Sequence, residues 1–194
     1  MGSVEAAIAA IERGEVVIYP TETVYGLGAD PLDPDAIERV FAAKSRDRDR
    51  PISMGVPDLA TAEQYVRLDE HERAFGERFL PGPVTLVARK RSIVPDALTG
   101  GRDRVGIRVP DHPRARDLLG RAGPLTATSA NPSGDPAPTT VAEIDREIES
   151  AAAAVLDGCA GSGDPSTVVD LTRDEIIRPG ADADAVREWL QSQK

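Results

Sequence analysis

The 194-residue chain has one cysteine, three lysines, two histidines and one tryptophan, and aromatic residues make up only 4% of it. A lone Cys159 excludes an internal disulfide framework and a zinc site built on cysteines; set between Gly158 and Ala160, it reads as a small packing residue. No run approaches the ~18 consecutive apolar residues of a membrane-crossing helix. Met1–Ala10 has no basic segment leading into an apolar stretch, so the expectation is a cytoplasmic protein without membrane contact. The histidines give no catalytic pattern, since His71 lies in a charged segment and His112 beside Pro113 in a turn. GxxxxGK[ST] is missing, and Gly26-Leu27-Gly28 followed by Ala29-Asp30 is not a dinucleotide fingerprint. No nucleophile–base triad and no His/Cys metal cluster can be assembled.

Positive charge is scarce as well: 23 Lys+Arg stand against 33 Asp+Glu, for a formal net charge of −10, and only Lys44, Lys90 and Lys194 are lysines. An acidic, lysine-poor chain resembles proteins of salt-loving organisms, whose carboxylate-rich surfaces stay soluble where screening lengths are short. The same balance argues against a surface that coats a polyanion, because phosphate contacts need clustered Lys and Arg. An anion site must be local. With 40% hydrophobic and 29% charged residues the chain is globular, and 17 glycines with 16 prolines promise many turns. The length suits one domain, 1–194, on the prior of ~100–200 residues per domain.

Apolar periodicity predicts helices over Val4–Arg13, Pro34–Lys44, Leu59–Val66, Glu70–Phe79, Pro113–Arg121, Thr140–Glu149 and Asp182–Gln193. Apolar, β-branched runs predict strands at Val16–Tyr19, Ile52–Val56, Val84–Ala88, Val105–Val109, Leu125–Thr128, Ala153–Leu156, Thr167–Leu171 and Ile176–Arg178. Pro20–Asp30 and the proline-rich Ser129–Pro138 read as loops. Interleaved helices and strands give an α/β (α+β) layer structure, and the close spacing near the C-terminus predicts a sheet that is not purely parallel.

Polar groups follow these strands, where α/β folds place ligands. Thr21-Glu22-Thr23 with Tyr25 is a hydroxyl-rich turn, with backbone capping as its plain explanation. Lys44-Ser-Arg46-Asp-Arg48-Asp-Arg50 puts four cations in seven residues at a helix end, where a solvated role beside the helix dipole competes with a functional one. Arg102, Arg104 and Arg108 surround a strand, and a buried arginine would need an anion. Thr126, Thr128, Ser129 and Asn131 offer donors at a strand end; Ser166-Thr167 and Arg178-Pro179-Gly180 complete the set.

In order along the chain, Tyr19-Pro-Thr-Glu-Thr-Val-Tyr-Gly-Leu-Gly28, Lys44-x-Arg46 with Arg50-Pro51, Pro81-Gly-Pro-Val-Thr85, Val105-Gly-Ile-Arg-Val-Pro110, Ser129-Ala-Asn131, Ser166-Thr167 and Ile177-Arg-Pro-Gly180 closely resemble the YrdC/TsaC/Sua family of threonylcarbamoyl-AMP synthases, single-domain and haloarchaeal-like. The resemblance spans residues 16 to 180. It implies a twisted mixed β-sheet flanked by helices around a concave, positively charged cavity. It also implies synthesis of threonylcarbamoyl-AMP and pyrophosphate from L-threonine, bicarbonate or CO2, and ATP, for threonylcarbamoyladenosine in tRNA. Lys44, Arg46, Ser129 and Asn131 match the family's tetrad around the phosphates. Arg50, Arg104, Ala137 and Arg178, together with Arg46 and Ser129, match its ATP-binding positions, and Thr23, Arg108, Ala127 and Ser166 its threonine-binding positions. Mg2+ is implied as bound through the triphosphate, and hand-over to the tRNA threonylcarbamoyl transferase complex as a partner step. Asp47 stands where the family commonly has proline. Gly55 stands where some members have histidine, which implies a threonine held with one contact fewer or with water in the gap. The chain ends soon after Gly180, as in members without a further C-terminal domain. Double-stranded RNA binding through the same cavity is the alternative, and the net charge of −10 speaks against it. A carbamoyl-adenylate domain of the hydrogenase-maturation type would come with zinc-binding cysteines, which Cys159 alone does not supply.

Overall fold

Every residue of the first strand is buried, because it runs between two cores. In the computed structural model, which describes residues 2–193, strand β1 (Val16–Pro20) sends Val16 and Ile18 into one apolar cluster and Val17 and Tyr19 into another. Met1 and Lys194, the ends of the expected domain, lie outside the described residues. Around β1 the chain forms α1 (Val4–Glu12), β2 (Tyr25–Gly28), α2 (Pro34–Ala43), β3 (Ser53–Gly55), α3 (Leu59–Ala62), β4 (Val66–Arg67), α4 (Glu70–Phe79), β5 (Val84–Lys90) and α5 (Asp96–Thr99). Then come β6 (Arg104–Arg108), α6 (Pro113–Ala122), β7 (Leu125–Ser129), α7 (Arg146–Ala151), β8 (Ala152–Val155), β9 (Thr167–Asp170), β10 (Glu175–Arg178) and α8 (Ala183–Ser192).

The strands join in one mixed sheet, ordered β10-β9-β5-β6-β3-β7-β2-β1-β8, with β4 paired to β5 off this path. Pairs β1/β8, β3/β6 and β5/β9 are parallel and the others antiparallel. Register divides the faces. Met54, Leu86 and Ile107 line up across β3, β5 and β6 on the side of the larger core, which also takes Ile37, Val40 and Phe41 of α2, Phe75 of α4 and Val186 of α8. The opposite face is covered by α1 and α6 only around β1, through Ala7, Ile11, Leu118 and Leu119. The rest of that face stays open.

Local chemistry explains most boundaries. Ser3 caps α1, its hydroxyl accepting from Ala6 N at 3.2 Å, and Asp69 with Glu72 forms a reciprocal capping box on α4. Departures from the sequence expectations have physical causes. Pro20–Asp30 is not one loop, because β2 pairs antiparallel with β1 within it, Tyr19 opposite Gly26. A Cβ on Gly28 would come within 2.8 Å of the Tyr19 ring, so these glycines let a strand run beneath an aromatic side chain rather than marking a loop. The expected helix Leu59–Val66 stops at Ala62, since Val66 pairs with Lys90 of β5. Thr140–Glu149 splits into a 3₁₀ turn, Val141–Glu143, and α7, because the Asp145 carboxylate takes Glu147 N at 2.7 Å and starts a new helix. The short α5 was not expected at all.

Candidate active site

A cavity of about 1010 Å³ opens on the uncovered sheet face. Alternation puts Arg104, Gly106 and Arg108 of β6, Ala127 and Ser129 of β7 and Thr85 of β5 on its floor. Small floor residues leave the volume free: a Cβ on Gly106 would lie 2.4 Å from Ser53 Oγ, so even a methyl there displaces its neighbours. Seven arginines and two aspartates line the cavity. Of the residues matched to the family's site, Thr23, Arg46, Arg50, Arg104, Arg108, Ala127, Ser129, Ala137, Ser166 and Arg178 all line it, while Lys44 and Asn131 are not part of its lining.

Lys44 caps the end of α2 and is 1% exposed, so it is not the solvated helix-end cation that its position in the sequence also allowed. Its ammonium donates to the carbonyl oxygens of Ser129 and, at 2.6 Å, Asn131, while its own carbonyl accepts from Ser133 N at 2.9 Å. Burial, then repulsion from Arg46 and Arg50, lowers its pKa to about 8. Asn131 Nδ2 donates to Pro132 O and Asp135 O at 2.8 Å each, and its Oδ1 is buried without a partner. Of the four residues expected to act together, Arg46 and Ser129 line the cavity, and Lys44 and Asn131 tie the 129–135 turn from behind.

Arg46 is held by Arg50 O and Pro51 O at 3.0 Å each. Its acidity is raised by burial and by Arg50 and Arg178, and that of Arg178 by burial and Arg108, so these guanidiniums sense one another across the cavity. Arg178 donates to Ser166 O at 2.8 Å and Ser166 Oγ at 3.1 Å, and Ser166 Oγ lies 2.9 Å from Thr85 Oγ1. Arg104 is more encumbered. It donates to Val87 O at 2.5 Å and pairs with Glu72 at 3.0 Å and Asp170 at 3.3 Å. Arg108, 7% exposed, donates through Nη2 to Glu22 Oε1 at 3.0 Å and Thr23 Oγ1 at 2.9 Å.

Other candidates fall away from the cavity. Thr126 is fully buried on the opposite face, bonded to Ala29 N and Leu27 O. His71 stacks on Trp189 with ring centroids 4.9 Å apart, and His112 Nε2 meets Cys159 O at 3.2 Å. Cys159 is exposed, which corrects its reading as a packing residue; its neighbour Ala160 packs against the core instead. Sequence reasoning had no separate role for Glu22, Glu72 or Asp170, the carboxylates that hold the site's arginines. The only signal was that arginines facing a sheet interior need counter-charges.

Fold and cavity together define a mixed-sheet α/β protein with an arginine-lined pocket on one sheet face. A family model described as Telomere recombination, covering Sua5, YciO and YrdC, matches residues 9–180. The chain belongs to this Sua5/YciO/YrdC family. It is 39% identical over 175 residues to a threonylcarbamoyl-AMP synthase of Pyrococcus abyssi, covering 88% of this chain and 52% of that protein, so it spans about half the length of that relative. A threonylcarbamoyl-AMP synthase of Pseudomonas putida is 36% identical over 185 residues, 91% of this chain and 97% of the relative. The crystal structure of P. abyssi Sua5 complexed with L-threonine superposes with a TM-score of 0.87 at 36% identity, covering 94% of this chain and 56% of that one.

Proposed function

We propose that the protein is an L-threonylcarbamoyladenylate synthase, a nucleotidyltransferase that serves threonylcarbamoyladenosine formation in tRNA. One observation carries the reading: a single cavity, at about 1010 Å³ roomy for one small ligand, gathers two sets of residues in its lining. Thr23, Arg108, Ala127 and Ser166 suit an amino acid, with a guanidinium for its carboxylate. Arg46, Arg50, Ser129, Ala137 and Arg178 suit a nucleoside triphosphate, and the arginines' mutual repulsion favours an anion among them. Arg104, neutralised by two carboxylates, borders the nucleotide with its unbonded edge.

The amine of threonine adds to CO2 and loses a proton, giving a carbamate; a carbamate oxygen then attacks the α-phosphorus and pyrophosphate leaves. Positioning of two anions and neutralisation of developing charge are what the chain must supply. Arg46 and Ser129 contact the phosphates, and Lys44 and Asn131 act as positioning residues through the turn they hold. Among the described residues no cluster of three potential metal ligands occurs. Asp170 of the cavity is committed to Arg104 and Thr172. Mg2+ would be carried by the triphosphate and its waters, where it would offset phosphate charge. Residues 1–194 are read as one domain acting in the cytoplasm, with hand-over of the product to the tRNA threonylcarbamoyl transferase complex. The test is incubation with ATP, Mg2+, bicarbonate and threonine, following pyrophosphate and the AMP adduct. Release must depend on both threonine and bicarbonate; release independent of either sinks the reading.

A further inference from the structure

We propose that Glu22 is a specificity-determining residue: as the built-in counter-ion of Arg108 it makes the amino-acid subsite select a zwitterion over a simple carboxylate. The inference rests on the reading of Thr23, Arg108 and Ser166 as that subsite. Thr21 Oγ1 accepts from Thr23 N and Val24 N, at 3.2 Å each, and spends its only hydrogen on Val24 O at 2.7 Å. That fills the hydrogen and both lone pairs of Thr21 Oγ1, and Thr23 Oγ1 lies 2.9 Å from it. Thr23 Oγ1 in turn accepts from Arg108 Nη2.

The Arg108 guanidinium is thus engaged on one nitrogen only. Nη1 is buried with no partner, and so is Glu22 Oε2. One unused cationic donor, one unused anionic acceptor and the Thr23 hydroxyl stand in a single bonded cluster. Arg108 and Thr23 line the cavity and Glu22 stands behind them, so the matching ligand carries a carboxylate for the guanidinium and an ammonium for the field of Glu22. The turn itself is pinned from behind, since Gly161 N donates to Thr21 O at 3.1 Å and Gly163 N to Thr23 O at 3.0 Å. Glu22 cannot simply swing the backbone away, because the Gly161 segment packs directly against its carbonyl.

With Glu22 in place the cluster is neutral before a ligand enters. A plain carboxylate must then compete with Glu22 for Arg108, whereas an α-amino acid offers Glu22 an ammonium in exchange. Without Glu22, Arg108 is a bare buried cation and any carboxylate is welcome. Glu22 therefore acts through Arg108 as a positioning and selecting group, not as a catalytic residue.

The experiment compares L-threonine with 3-hydroxybutyrate, which is threonine without its amine, and with L-threoninamide, which lacks the carboxylate, by calorimetric titration of the full chain. Wild type is expected to bind threonine at least about tenfold more tightly than either analogue, the scale of one charge-assisted contact. Glu22→Gln keeps the acceptor for Arg108 and loses the charge. It is expected to shrink the threonine-to-3-hydroxybutyrate ratio at least about tenfold, with gain for the carboxylate as well as loss for threonine, and Glu22→Asp to restore part of it. Wild type that binds threonine but not in preference to the two analogues, or Glu22→Gln with an unchanged ratio, overturns the inference and leaves the functional reading standing. Wild type that binds no threonine overturns both. Should Glu22→Gln fail to unfold cooperatively, Glu22→Asp decides: a threonine-to-3-hydroxybutyrate ratio smaller than that of wild type supports the inference, and an unchanged one overturns it.

Discussion

The Lys44 ammonium donates to the backbone carbonyl of Asn131 at 2.6 Å, so a lysine at a helix end holds in shape a turn 87 residues further on. Its removal costs more than the ~0.3–1 kcal/mol of an exposed helix-end cation. Two buried carbonyls lose their donor, at roughly 1–3 kcal/mol, partly offset by the relief of a buried charge. Lys44→Ala is expected to lower pyrophosphate release about a hundredfold, since displacement of a positioned group by an ångström has that effect, while unfolding remains cooperative. Full turnover in this variant would falsify the positioning role. The pH dependence has a definite sign. The folded pKa of about 8 lies below the ordinary 10.5, so between these values the unfolded chain holds more protons and stability rises with pH. Urea denaturation at pH 7.5 and 9.5 should show wild type gaining on Lys44→Met at the higher pH; a constant gap refutes the shift.

Gly161 lies where no side chain fits, as an ideal Cβ would stand 1.5 Å from Glu22 O. Gly161→Ala is expected to lift the 158–163 segment off the Thr21–Thr23 turn and break both of its backbone bonds. The fold should persist, because this exposed segment contributes little to the core. Hydrogen exchange should show lost protection at the amides of residues 161 and 163, with weakened threonine binding and unchanged ATP binding. Equal weakening of both ligands would mean that the segment supports the whole cavity instead.

A net charge of −10 with no membrane-length apolar helix among the described residues predicts a salt response. Self-repulsion of the acidic coat falls as the screening length shrinks from ~10 Å at 0.1 M salt to ~3 Å at 1 M. The melting temperature should therefore rise between 0.1 and 1 M KCl. ATP affinity should fall over the same range, because the arginine–phosphate contacts are screened too. A melting temperature that drops with salt would show that paired surface charges outweigh the repulsion.

Legibility from sequence followed the kind of force involved. Helices α2, α4 and α6 were readable almost to the residue, since periodic apolar faces, Pro34, Pro113 and an Asp69 cap act locally. The cavity arginines were visible because Arg104 and Arg108 alternate with Val105 and Ile107 on one strand. What was not visible depends on distant partners. Strand β2 exists because Tyr19 covers two glycines, and β4 because Val66 finds Lys90. That Lys44 lies behind the lining and Arg46 within it follows from where Ser129 and Asn131 fold back, 85 and 87 residues away from Lys44.

Arg104 and Arg178 both line the cavity, yet their removal should act in opposite currencies. Arg104 neutralises Glu72 and Asp170, each 4% exposed, and a buried pair broken from one side costs about 3–5 kcal/mol because the carboxylates stay behind unpaired. One fifth of the Arg104 side chain reaches solvent, which puts Arg104→Ala at the lower end, about 3 kcal/mol. Arg178 bonds only the neutral acceptors of Ser166 and is itself burdened by burial and by Arg108, so Arg178→Ala should change stability by about 1 kcal/mol or less. Its loss should appear in ATP affinity. Pairing Arg104→Met with Glu72→Gln should recover part of the stability, since the glutamine still accepts from Asp69 N but no longer carries an unpaired charge. Urea denaturation of the three variants settles the point, and equal losses for Arg104→Ala and Arg178→Ala would show that the carboxylates do not depend on Arg104.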